Sequence, residues 1–444
     1  MALRDILQSH RDRRALIEPD GTTTSYDLLL DQVTALAARF QRAGIGPGIV
    51  VALHANHGRT GLGALLALRE LGAIAVPLTT RFGPDRTRLQ ALAAAAFVFD
   101  AIADDLTALP PGGARPALYD QLTGAGLVLF TGGTTGTPRA TLHDFTALAD
   151  SYPASPEPSD HVILLMLLFD HIGGIDTLLR GLVRGATLVV PPDRQPARVA
   201  AAIAKHQVTV LPTSPSFLGL LLASGVIEEH DLSSLHLVGY GAEPMPAATL
   251  ARLHAALPQT RLQQKFGTSE TCAVRIRSQG DDSLFFTFDD PAVEHRIVDD
   301  ELWLRTPRQM LGYLHQPPSI TTEGWYRTGD LVEVAPDGSL RILGRRTDLI
   351  NVGGEKVSPV EVESVLLELP AITDCVVHGE PNPLTGQIVC ARVVPAPEVD
   401  PATLRTLVRR HARSRLPAWQ VPVKVTPVAA TELTPAGKKA RRTL

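Results

Sequence analysis

Short apolar runs alternate with amphipathic segments along the first 266 residues of the chain. Runs of about four to eight apolar residues predict buried strands, whereas apolar residues three or four positions apart predict helices. The predicted strands are Ile49–Leu53, Ala73–Leu78, Phe97–Asp100, Leu127–Phe130, Val162–Phe169, Ala186–Val190, Val208–Leu211, Leu235–Val238 and Arg261–Phe266. The predicted helices are Tyr26–Ala43, Gly61–Leu71, Asp85–Ala95, Gly174–Val183, Ala197–His206, Phe217–Ala223 and Ala247–Ala256. This alternation predicts an α/β fold in which helices cover parallel sheets.

The pattern changes between Val293 and Arg341, where segments such as Glu301–Arg305 are short and alternate apolar with polar positions. Such alternation predicts a small antiparallel or barrel-like unit. A polar stretch, Gly344–Asp348, follows and predicts a linker. Beyond it we predict helices and strands over Pro359–Leu369, Thr373–His378, Ile388–Val394, Ala402–Leu416 and Val423–Val428. The chain is therefore expected to form a large N-terminal domain, residues 1–345, and a small α+β C-terminal domain, residues 348–444.

Composition narrows the class of protein. A formal net charge of −4 argues against nucleic acid as the main partner. The three cysteines, Cys272, Cys375 and Cys390, lack metal or redox spacing, which predicts free thiols in a reducing compartment. The segment Met1–Asp12 is charged throughout, so we expect no secretory leader, and Val162–Phe169 is too short to span a bilayer. We therefore expect a soluble, cytoplasmic protein.

The loop from Thr131 to Arg139 carries the clearest chemistry. It contains Thr131, Gly132, Gly133, Thr134, Thr135, Gly136, Thr137, Pro138 and Arg139. Glycines allow backbone N–H groups to approach a ligand and form an anion-binding concavity, and Arg139 adds a charge that suits phosphate. The loop does not have the Gly-Lys-Ser/Thr ending of a Walker A loop. It predicts a polyphosphate site, and the competing interpretation is a surface turn.

The loop resembles the signature Thr-Ser-Gly-Thr-Thr-Gly-x-Pro-Lys-Gly of the adenylate-forming superfamily. That superfamily holds acyl-CoA synthetases, peptide-synthetase adenylation domains and luciferases. Here Gly132, Arg139 and Ala140 replace the usual Ser, Lys and Gly. The resemblance implies that residues 131–136 bind ATP phosphates, with Thr134 also on the metal, and that Arg139 is catalytic.

The segment Gln264–Glu270 resembles the family's Tyr-Gly-x-Thr-Glu motif. An aromatic residue at a strand end can stack on a purine, and a glutamate suits Mg²⁺. The resemblance implies nucleotide contacts by Phe266, Gly267, Thr268 and Ser269, and a catalytic, metal-binding role for Glu270. The competing interpretation of Glu270 is an acid that balances a helix dipole.

Three further segments resemble nucleotide-binding motifs of the family. Gly239–Pro244 resembles the adenine-pocket segment, which implies contacts by Gly241, Ala242 and Glu243, although a plain strand-to-helix turn is the alternative. Trp325–Leu331 resembles Trp-x-x-Thr-Gly-Asp, so Asp330 is expected to accept the ribose hydroxyl protons, as acidic residues of dinucleotide sites do. The segment 344–356 resembles the hinge motif, with Arg345 on the ribose and Thr347 where the family has Asp or Lys.

Two more resemblances concern the reacting acid. Leu433–Lys438 resembles Pro-x-Thr-x-x-Gly-Lys, which implies that Lys438 is the catalytic lysine, although a solvated tail lysine is the alternative. Phe169–Gly174 resembles the Phe-His-x-x-Gly segment of acyl-CoA synthetases, where the histidine stands beside the acyl carboxylate. This implies a catalytic His171, against a purely structural histidine. The stretch Arg277–Pro291 lacks the family's usual glycines, so one wall of the acyl site is expected to differ.

The resemblance implies an ATP- and Mg²⁺-dependent acid:CoA ligase that works through an acyl-adenylate, with rotation of the small domain near Thr347 between steps. One alternative passes the acyl group to a carrier protein or an amine in trans, and another is a nucleotide-binding pseudoenzyme. From Pro401 to the C-terminus we count ten Lys/Arg against one acid. This basic patch suits a polyanionic acceptor such as CoA or an acidic carrier protein, and Arg409, Arg410 and Arg413 are expected to help dock it.

Overall fold

The computed structural model describes residues 3–110, 113–131, 138–153, 157–317, 320–434 and 438–441. The chain divides into two compact units. The first unit contains residues 1–212, 267–274 and 305–326, and the second contains residues 213–266, 275–304 and 327–444. The predicted boundary near Thr347 stays a prediction, since the residues on both sides of it belong to the second unit.

The described helices are α1 (Leu3–Ser9), α2 (Tyr26–Arg42), α3 (Arg59–Glu70), α4 (Arg86–Leu92), α5 (Phe145–Asp150), α6 (Ile172–Val183), α7 (Pro196–His206), α8 (Pro215–Ala223), α9 (Val226–Glu229), α10 (Ala247–Ala256), α11 (Pro359–Leu366) and α12 (Pro401–Arg415). Short 3₁₀ helices cover Thr80–Asp85, Ala117–Gln121, Arg346–Asp348 and Ala418–Gln420. No described helix combines the length and the apolar composition that a membrane span requires.

The first eleven strands are β1 (Arg14–Ile17), β2 (Thr23–Ser25), β3 (Val50–His54), β4 (Ile74–Leu78), β5 (Phe97–Asp100), β6 (Asp105–Ala108), β7 (Gly126–Thr131), β8 (Arg139–Asp144), β9 (Val162–Leu164), β10 (Thr187–Val189) and β11 (Val210–Thr213). The middle strands are β12 (Leu237–Tyr240), β13 (Arg261–Gln264), β14 (Phe266–Thr268), β15 (Cys272–Val274), β16 (Ile276–Ser278), β17 (Phe286–Phe288), β18 (Glu294–Val298), β19 (Glu301–Arg305) and β20 (Gly312–Tyr313). The last are β21 (Tyr326–Val334), β22 (Leu340–Arg345), β23 (Ile350–Val352), β24 (Glu355–Val357), β25 (Ile372–Asn382), β26 (Gly386–Pro395) and β27 (Lys424–Pro427).

In the first unit, one sheet has the strand order β20-β8-β7-β4-β3-β5-β6. Its central strands β7, β4, β3 and β5 are parallel, whereas β8, β20 and β6 pair antiparallel to their neighbours. Strands β3 and β4 are buried almost throughout, as expected of parallel strands covered on both faces. The hairpin β7–β8 brackets the Gly/Thr loop, with Thr131 opposite Arg139.

A second sheet of the first unit runs β11-β9-β10-β1-β2. Helix α2 begins at an N-cap, Ser25, whose side chain accepts from the Leu28 N–H, and the helix buries an apolar stripe that includes Leu29 and Phe40. The Tyr26 hydroxyl donates to the Ala186 carbonyl at 2.8 Å, so the buried ring keeps a partner for its polar end. These contacts belong to one apolar core that supports the site of the first unit.

The second unit begins with β12 and β13, which pair in parallel. A six-stranded sheet follows, in the order β16-β17-β22-β21-β19-β18, and its β16–β17, β17–β22 and β21–β22 pairs are antiparallel. This sheet is the small antiparallel unit expected from the alternating segments. The last part of the unit, the C-terminal lobe (residues 350–441), places β23 to β27 in one sheet with helices α11 and α12 around a separate apolar core.

The α/β architecture with a small C-terminal part is confirmed, but several predicted elements differ in their bounds from those observed, and two of them show why. The strand expected over Val162–Phe169 ends at Leu164. A tight turn follows, in which the His171 N–H donates to the Leu168 carbonyl and a Cβ at Gly174 would lie 1.9 Å from that oxygen. The helix expected over Asp85–Ala95 covers only Arg86–Leu92. The 3₁₀ turn that contains Pro84 and the positive-φ Gly83 precedes it, and Ala94, with a φ of +51°, lies beyond its end.

Candidate functional site

The predicted phosphate loop is bracketed by described residues. Thr131 ends β7 and Arg139 begins β8, and the two are paired across the hairpin. The predicted ligands Gly132, Gly133, Thr134, Thr135 and Gly136 lie outside the described residues, as does Thr137. Their roles therefore stay predictions, and the geometry of the first-unit site is built from the residues around the loop.

Glu270 is held by a tight turn directly after β14. The hydroxyl of Thr268 accepts hydrogen bonds from the backbone N–H groups of Glu270 and Thr271, both at 3.2 Å. The Glu270 carbonyl accepts from the Met310 N–H at 2.7 Å. At Gly267, φ is +159° and a Cβ would lie 2.3 Å from the Cys272 carbonyl oxygen, so only glycine fits there. Ser269 lies inside this turn. The backbone turn thus fixes the position of the Glu270 main chain, from which the carboxylate side chain extends.

The side chain of Glu270 is fixed by Tyr313. The Tyr313 hydroxyl donates to Glu270 Oε1 at 2.6 Å, and Glu270 is only 8% exposed. The Arg139 guanidinium lies over the Tyr313 ring, 5.6 Å from its centroid, and Arg139 Nε is buried without a partner among the described residues. Two predicted site residues, Arg139 and Glu270, are therefore brought together by one tyrosine.

A buried histidine lies behind this carboxylate. Burial lowers the pKa of His143 to about 4, although the nearby Glu270 acts in the opposite direction. The His143 ring is therefore neutral near pH 7 and adds no positive charge beside Glu270. A neutral His143 does not compete with a bound cation for the carboxylate of Glu270.

His171 has a structural contact of its own. It is the N-cap of α6, and its Nδ1 accepts the backbone N–H of Gly173 at 3.1 Å. The preceding Asp170 is fully buried and forms an ion pair with Arg81 at 2.9 Å, and it also accepts the Thr79 hydroxyl at 2.6 Å. These contacts match the structural interpretation of His171, and its catalytic role stays a prediction.

In the second unit, the predicted adenine segment forms a close turn after β12. A Cβ at Gly241 would lie 2.5 Å from the Lys265 carbonyl oxygen, and Ala242 has a φ of +72°. Glu243 Oε1 accepts the backbone N–H of Ser216, at the start of α8, at 2.8 Å. The ring of Phe266 stacks on Phe286 at 5.9 Å and meets Phe288 edge-on. The atypical stretch Arg277–Pro291 thus supplies aromatic neighbours to the predicted purine-binding residue.

Asp330 and Arg345 face each other across β21 and β22, with Nε 3.3 Å from Oδ1. Lys438 lies within electrostatic range of this pair. Burial and the charge of Arg345 lower the pKa of Lys438, while Glu243, Asp330 and Asp348 act to raise it. Burial raises the pKa of Asp330, although Arg345 and Lys438 oppose that shift. The second unit thus gathers Glu243, Asp330, Arg345 and Lys438, which the sequence placed in four separate motifs.

Thr347, the predicted pivot, lies in a 3₁₀ turn after β22, and its hydroxyl contacts Asp348 Oδ1 at 3.2 Å. Its role in a hinge stays a prediction.

A second group of metal-type ligands lies in the C-terminal lobe. Ligand atoms of His378, Glu380 and Cys390 all lie within 4.8 Å of one another. However, the Lys424 ammonium contacts both Glu380 oxygens, at 3.0 and 3.3 Å. Because a cation already neutralises this carboxylate, the group is better described as a charge-paired cluster than as a metal site.

Several residues around the site were missed by the motif analysis. Tyr313 contacts Glu270 although 43 positions separate them, and only the pairing of β20 with β8 brings it there. Arg81 pairs with Asp170 across 89 positions. Lys439, which follows the predicted catalytic lysine, carried a usable signal, because the chain has only six lysines.

The sequence of this chain is similar to that of known proteins along most of its length. Residues 3–314 match the AMP-binding enzyme family, and residues 361–438 match the AMP-binding enzyme C-terminal domain. The chain belongs to the AMP-binding enzyme family. This AMP-binding enzyme is 30% identical, over 465 residues and 92% of each chain, to the 3-[(3aS,4S,7aS)-7a-methyl-1,5-dioxo-octahydro-1H-inden-4-yl]propanoyl:CoA ligase of Mycobacterium tuberculosis.

Two further comparisons extend this result. Surfactin synthase subunit 1 of Bacillus subtilis is 28% identical to this AMP-binding enzyme, and the match covers 98% of this chain but 13% of that subunit. The anthranilate CoA ligase AuaEII, solved with anthranoyl-AMP, has a TM-score of 0.83, covering 99% of this chain and 95% of its own. At 22% identity, that likeness shows the shared fold.

The residues present suit a magnesium ion. Glu270 is a hard oxygen donor, and among the described residues Tyr313 engages only one of its two carboxylate oxygens. The unpartnered Nε of Arg139 adds a donor for an anionic ligand close by. Glu270, with Thr134 as the predicted second ligand, would hold the ion.

Replacement of Tyr313 by Phe is expected to weaken Mg²⁺ binding, because it removes the hydrogen bond that orients Glu270. The Mg²⁺ concentration that half-saturates carboxylate-dependent ATP–pyrophosphate exchange should rise by about 10-fold, the usual effect of losing such a supporting contact. Glu270→Gln should lower the exchange rate much further. Tyr119→Phe is the matched control, because its hydroxyl donates to the Ala93 carbonyl and has no part in the site. Equal Mg²⁺ dependence in both tyrosine variants would contradict the role of Tyr313.

The lowered pKa of Lys438 predicts an alkaline limit on adenylation. In the predicted catalytic role of Lys438 the protonated ammonium is the active form, so activity should be lost as pH rises through a pKa below the ordinary 10.5. This limb should appear in kcat/KM for ATP, which reports the free enzyme, and Lys438→Arg should move it to higher pH.

Lys438→Ala should lower adenylation by about 10²–10³-fold, the scale of losing one charge-stabilising donor. Thioester formation from supplied acyl-adenylate should survive. Equal loss of the two half-reactions would be incompatible with the role assigned to this lysine.

Proposed function

We propose that this AMP-binding enzyme is an AMP-forming acid–thiol ligase whose acceptor is CoA. It joins a carboxylic acid to the AMP part of ATP with release of pyrophosphate, and then transfers the acyl group to the thiol of CoA with release of AMP. The observation that carries the proposal is the group formed by Asp330, Arg345 and Lys438, in which an acid and a cation suit the ribose and a second cation suits the reacting anions. The similarity to a CoA ligase over 92% of both chains supports it.

The first step brings a carboxylate onto the α-phosphorus of ATP, so repulsion between anions dominates its barrier. Cations aimed at the developing charge lower such a barrier most in a site that excludes water. Glu270 and Thr134 would hold Mg²⁺, which when bound would supply positive charge to the phosphates. Arg139 and the loop 131–136 would hold the pyrophosphate as it leaves, and Lys438 would neutralise the carboxylate and the α-phosphate.

The second step has a different requirement. The thiol sulfur attacks the acyl carbon, the bond to the phosphate oxygen breaks, and AMP departs with the electron pair. Lys438 is no longer needed, and the acceptor needs access to the acyl carbon. Rotation of the C-terminal lobe about Thr347 would withdraw the lysine, which is a hinge motion.

A carrier protein is the second candidate for the acceptor. The match to surfactin synthase subunit 1 covers nearly all of this chain and a small part of that subunit. The phosphopantetheine thiol of a carrier is chemically equivalent to the thiol of CoA. The second step is therefore the same, and only the docking surface differs.

Carboxylate-dependent ATP–pyrophosphate exchange tests the proposal, with a panel of aliphatic and aryl acids. Exchange with at least one acid is expected, followed by AMP release that depends on added CoA. AMP release only with a phosphopantetheinylated carrier protein would mean that the acceptor is the carrier protein and not CoA. Absence of exchange with every acid would favour the nucleotide-binding pseudoenzyme.

The basic patch on α12 is proposed to dock the acceptor. Arg410 and Arg413 are exposed, and Arg409 is half-buried with an Nε that has no partner among the described residues. The double variant Arg410→Glu/Arg413→Glu should raise the KM for the acceptor by about 10-fold at low salt, because it repels the phosphates. Exchange in the first step should be unchanged.

The double reversal Arg42→Glu/Arg198→Glu, at exposed positions of α2 and α7, provides the charge-matched control. An unchanged acceptor KM in the α12 variant would remove these arginines from the docking surface. A rise in the acceptor KM equal to that of the control would also remove these arginines from the docking surface.

A further inference from the structure

The segment that carries Lys438 folds back on itself. We define the lysine hairpin as residues 431–434 and 438–441. Leu433 and Lys439 form an antiparallel bridge, the Thr434 N–H donates to the Lys438 carbonyl at 2.7 Å, and the Ala440 N–H donates to the Glu432 carbonyl at 2.9 Å. Lys438 is therefore part of a hydrogen-bonded structure rather than a loose tail.

One buried ion pair joins this hairpin to the sheet of the C-terminal lobe. Lys439 Nζ lies 2.6 Å from Asp374 Oδ1 and donates to the Cys375 carbonyl at 2.7 Å, on strand β25. The two side chains are only 8% and 5% exposed. The other oxygen of Asp374 accepts the Thr431 hydroxyl, so one carboxylate holds both arms of the hairpin. Burial disfavours the charged form of Lys439, but Glu363 and Asp374 outweigh it and raise its pKa.

A second ion pair lies two residues further along. Arg441 forms a two-point contact with Glu363 on α11, its Nη1 bonding Oε1 and its Nη2 bonding Oε2 at 3.0 Å. The Glu363 side chain is 1% exposed. Nη1 of Arg441 also donates to the Val377 carbonyl at 3.1 Å. Such a fork fixes direction as well as distance, which a lysine cannot do.

The spacing of these anchors determines which way Lys438 points. Along an extended segment, successive side chains point to opposite sides. Lys439 forms the antiparallel bridge, so the segment is extended there. The side chains of Lys439 and Arg441 both point to the rest of the C-terminal lobe, where they contact Asp374 and Glu363. Lys438 therefore points away from the lobe, to the side where Arg345, Glu243 and Asp330 influence it.

We propose that Lys439 and Arg441, with their partners Asp374 and Glu363, are positioning residues that aim Lys438 during adenylation. The inference rests on the proposed function. Buried ion pairs contribute little net stability compared with apolar residues of the same volume, but they hold one geometry. The lobe has its own apolar core, so these pairs are not needed to build it.

The anchors also determine what moves with the lysine. Both ion pairs join the hairpin to the rest of the C-terminal lobe, so Lys438 moves together with that lobe. The backbone N–H of Lys439 also donates to the Ser216 hydroxyl at 3.2 Å, at the start of α8 and outside the lobe. Rotation of the lobe would break that hydrogen bond and leave the ion pairs intact. Loss of an ion pair should therefore slow the first step and spare the second.

The test is the double variant Asp374→Asn/Lys439→Met, which removes both charges and leaves neither ion unpaired. We expect pyrophosphate exchange to fall by about 10²-fold, the scale of misplacing a catalytic group by about 1 Å. Thioester formation from supplied acyl-adenylate and the Tm should stay close to those of the wild type. The double variant Glu333→Gln/Arg341→Met is the matched control, since it removes an ion pair of the second unit outside the C-terminal lobe and should change neither half-reaction.

Hydrogen–deuterium exchange gives a readout that does not depend on activity. The amides of residues 438–441 should exchange faster in the Asp374/Lys439 variant than in the wild type or the control.

Unchanged pyrophosphate exchange in a folded variant would overturn the positioning role, and so would equal loss of both half-reactions. Absence of ATP–pyrophosphate exchange by the wild-type enzyme would overturn the proposed function and, with it, the positioning role.

If the double variant does not fold, Arg441→Lys supplies the test. It keeps a positive charge beside Glu363 but loses the second of two parallel hydrogen bonds. Adenylation should slow by about 3- to 10-fold, with the thioester-forming step unchanged. An adenylation rate equal to that of the wild type would overturn the positioning role.

Discussion

A lysine ammonium that is mostly removed from water has to be stabilised by its surroundings, and this constraint organises the second unit. Lys438 has a lowered pKa because burial and Arg345 disfavour its charge, and three carboxylates, Glu243, Asp330 and Asp348, limit that loss. Among the described residues, no carboxylate forms an ion pair with Lys438 as Asp374 does with Lys439. In the part of the chain that the structure describes, one lysine is thus anchored and its neighbour stays available for an anionic ligand. An enzyme that joins two anions needs a cation of this second kind.

The first unit solves a related problem with different groups. Glu270 is oriented by a backbone turn and by Tyr313, while Arg139 lies over the same tyrosine ring. A carboxylate and a guanidinium attract each other and would form an ion pair if both were unrestrained. The intervening phenol gives each a separate contact. This arrangement leaves Glu270 open to the predicted metal ion and Arg139 open to the predicted phosphates.

Local pattern predicted much of the fold. The helix expected over Ala247–Ala256 and the strand expected over Glu301–Arg305 have the observed bounds, because their apolar spacing is regular. Strand β8 was missed, because Arg139, His143 and Asp144 interrupt its apolar pattern. The motifs supplied Glu270, Asp330, Arg345 and Lys438, but not the residues that orient them. Those contacts join positions far apart in the chain, such as Arg441 and Glu363, 78 residues apart, and no local pattern encodes such a pairing.

The central claim is that Asp330 and Lys438 act on the same adenylate. A crystal structure of the enzyme with a non-hydrolysable acyl-sulfamoyl adenosine tests it most directly, with the acyl group taken from an acid that the enzyme activates. We expect the Asp330 carboxylate to accept both ribose hydroxyls and Lys438 Nζ to lie within about 3 Å of the sulfamate or the acyl oxygen. A nucleotide bound without contact to Asp330, with Lys438 directed away from it, would contradict the account.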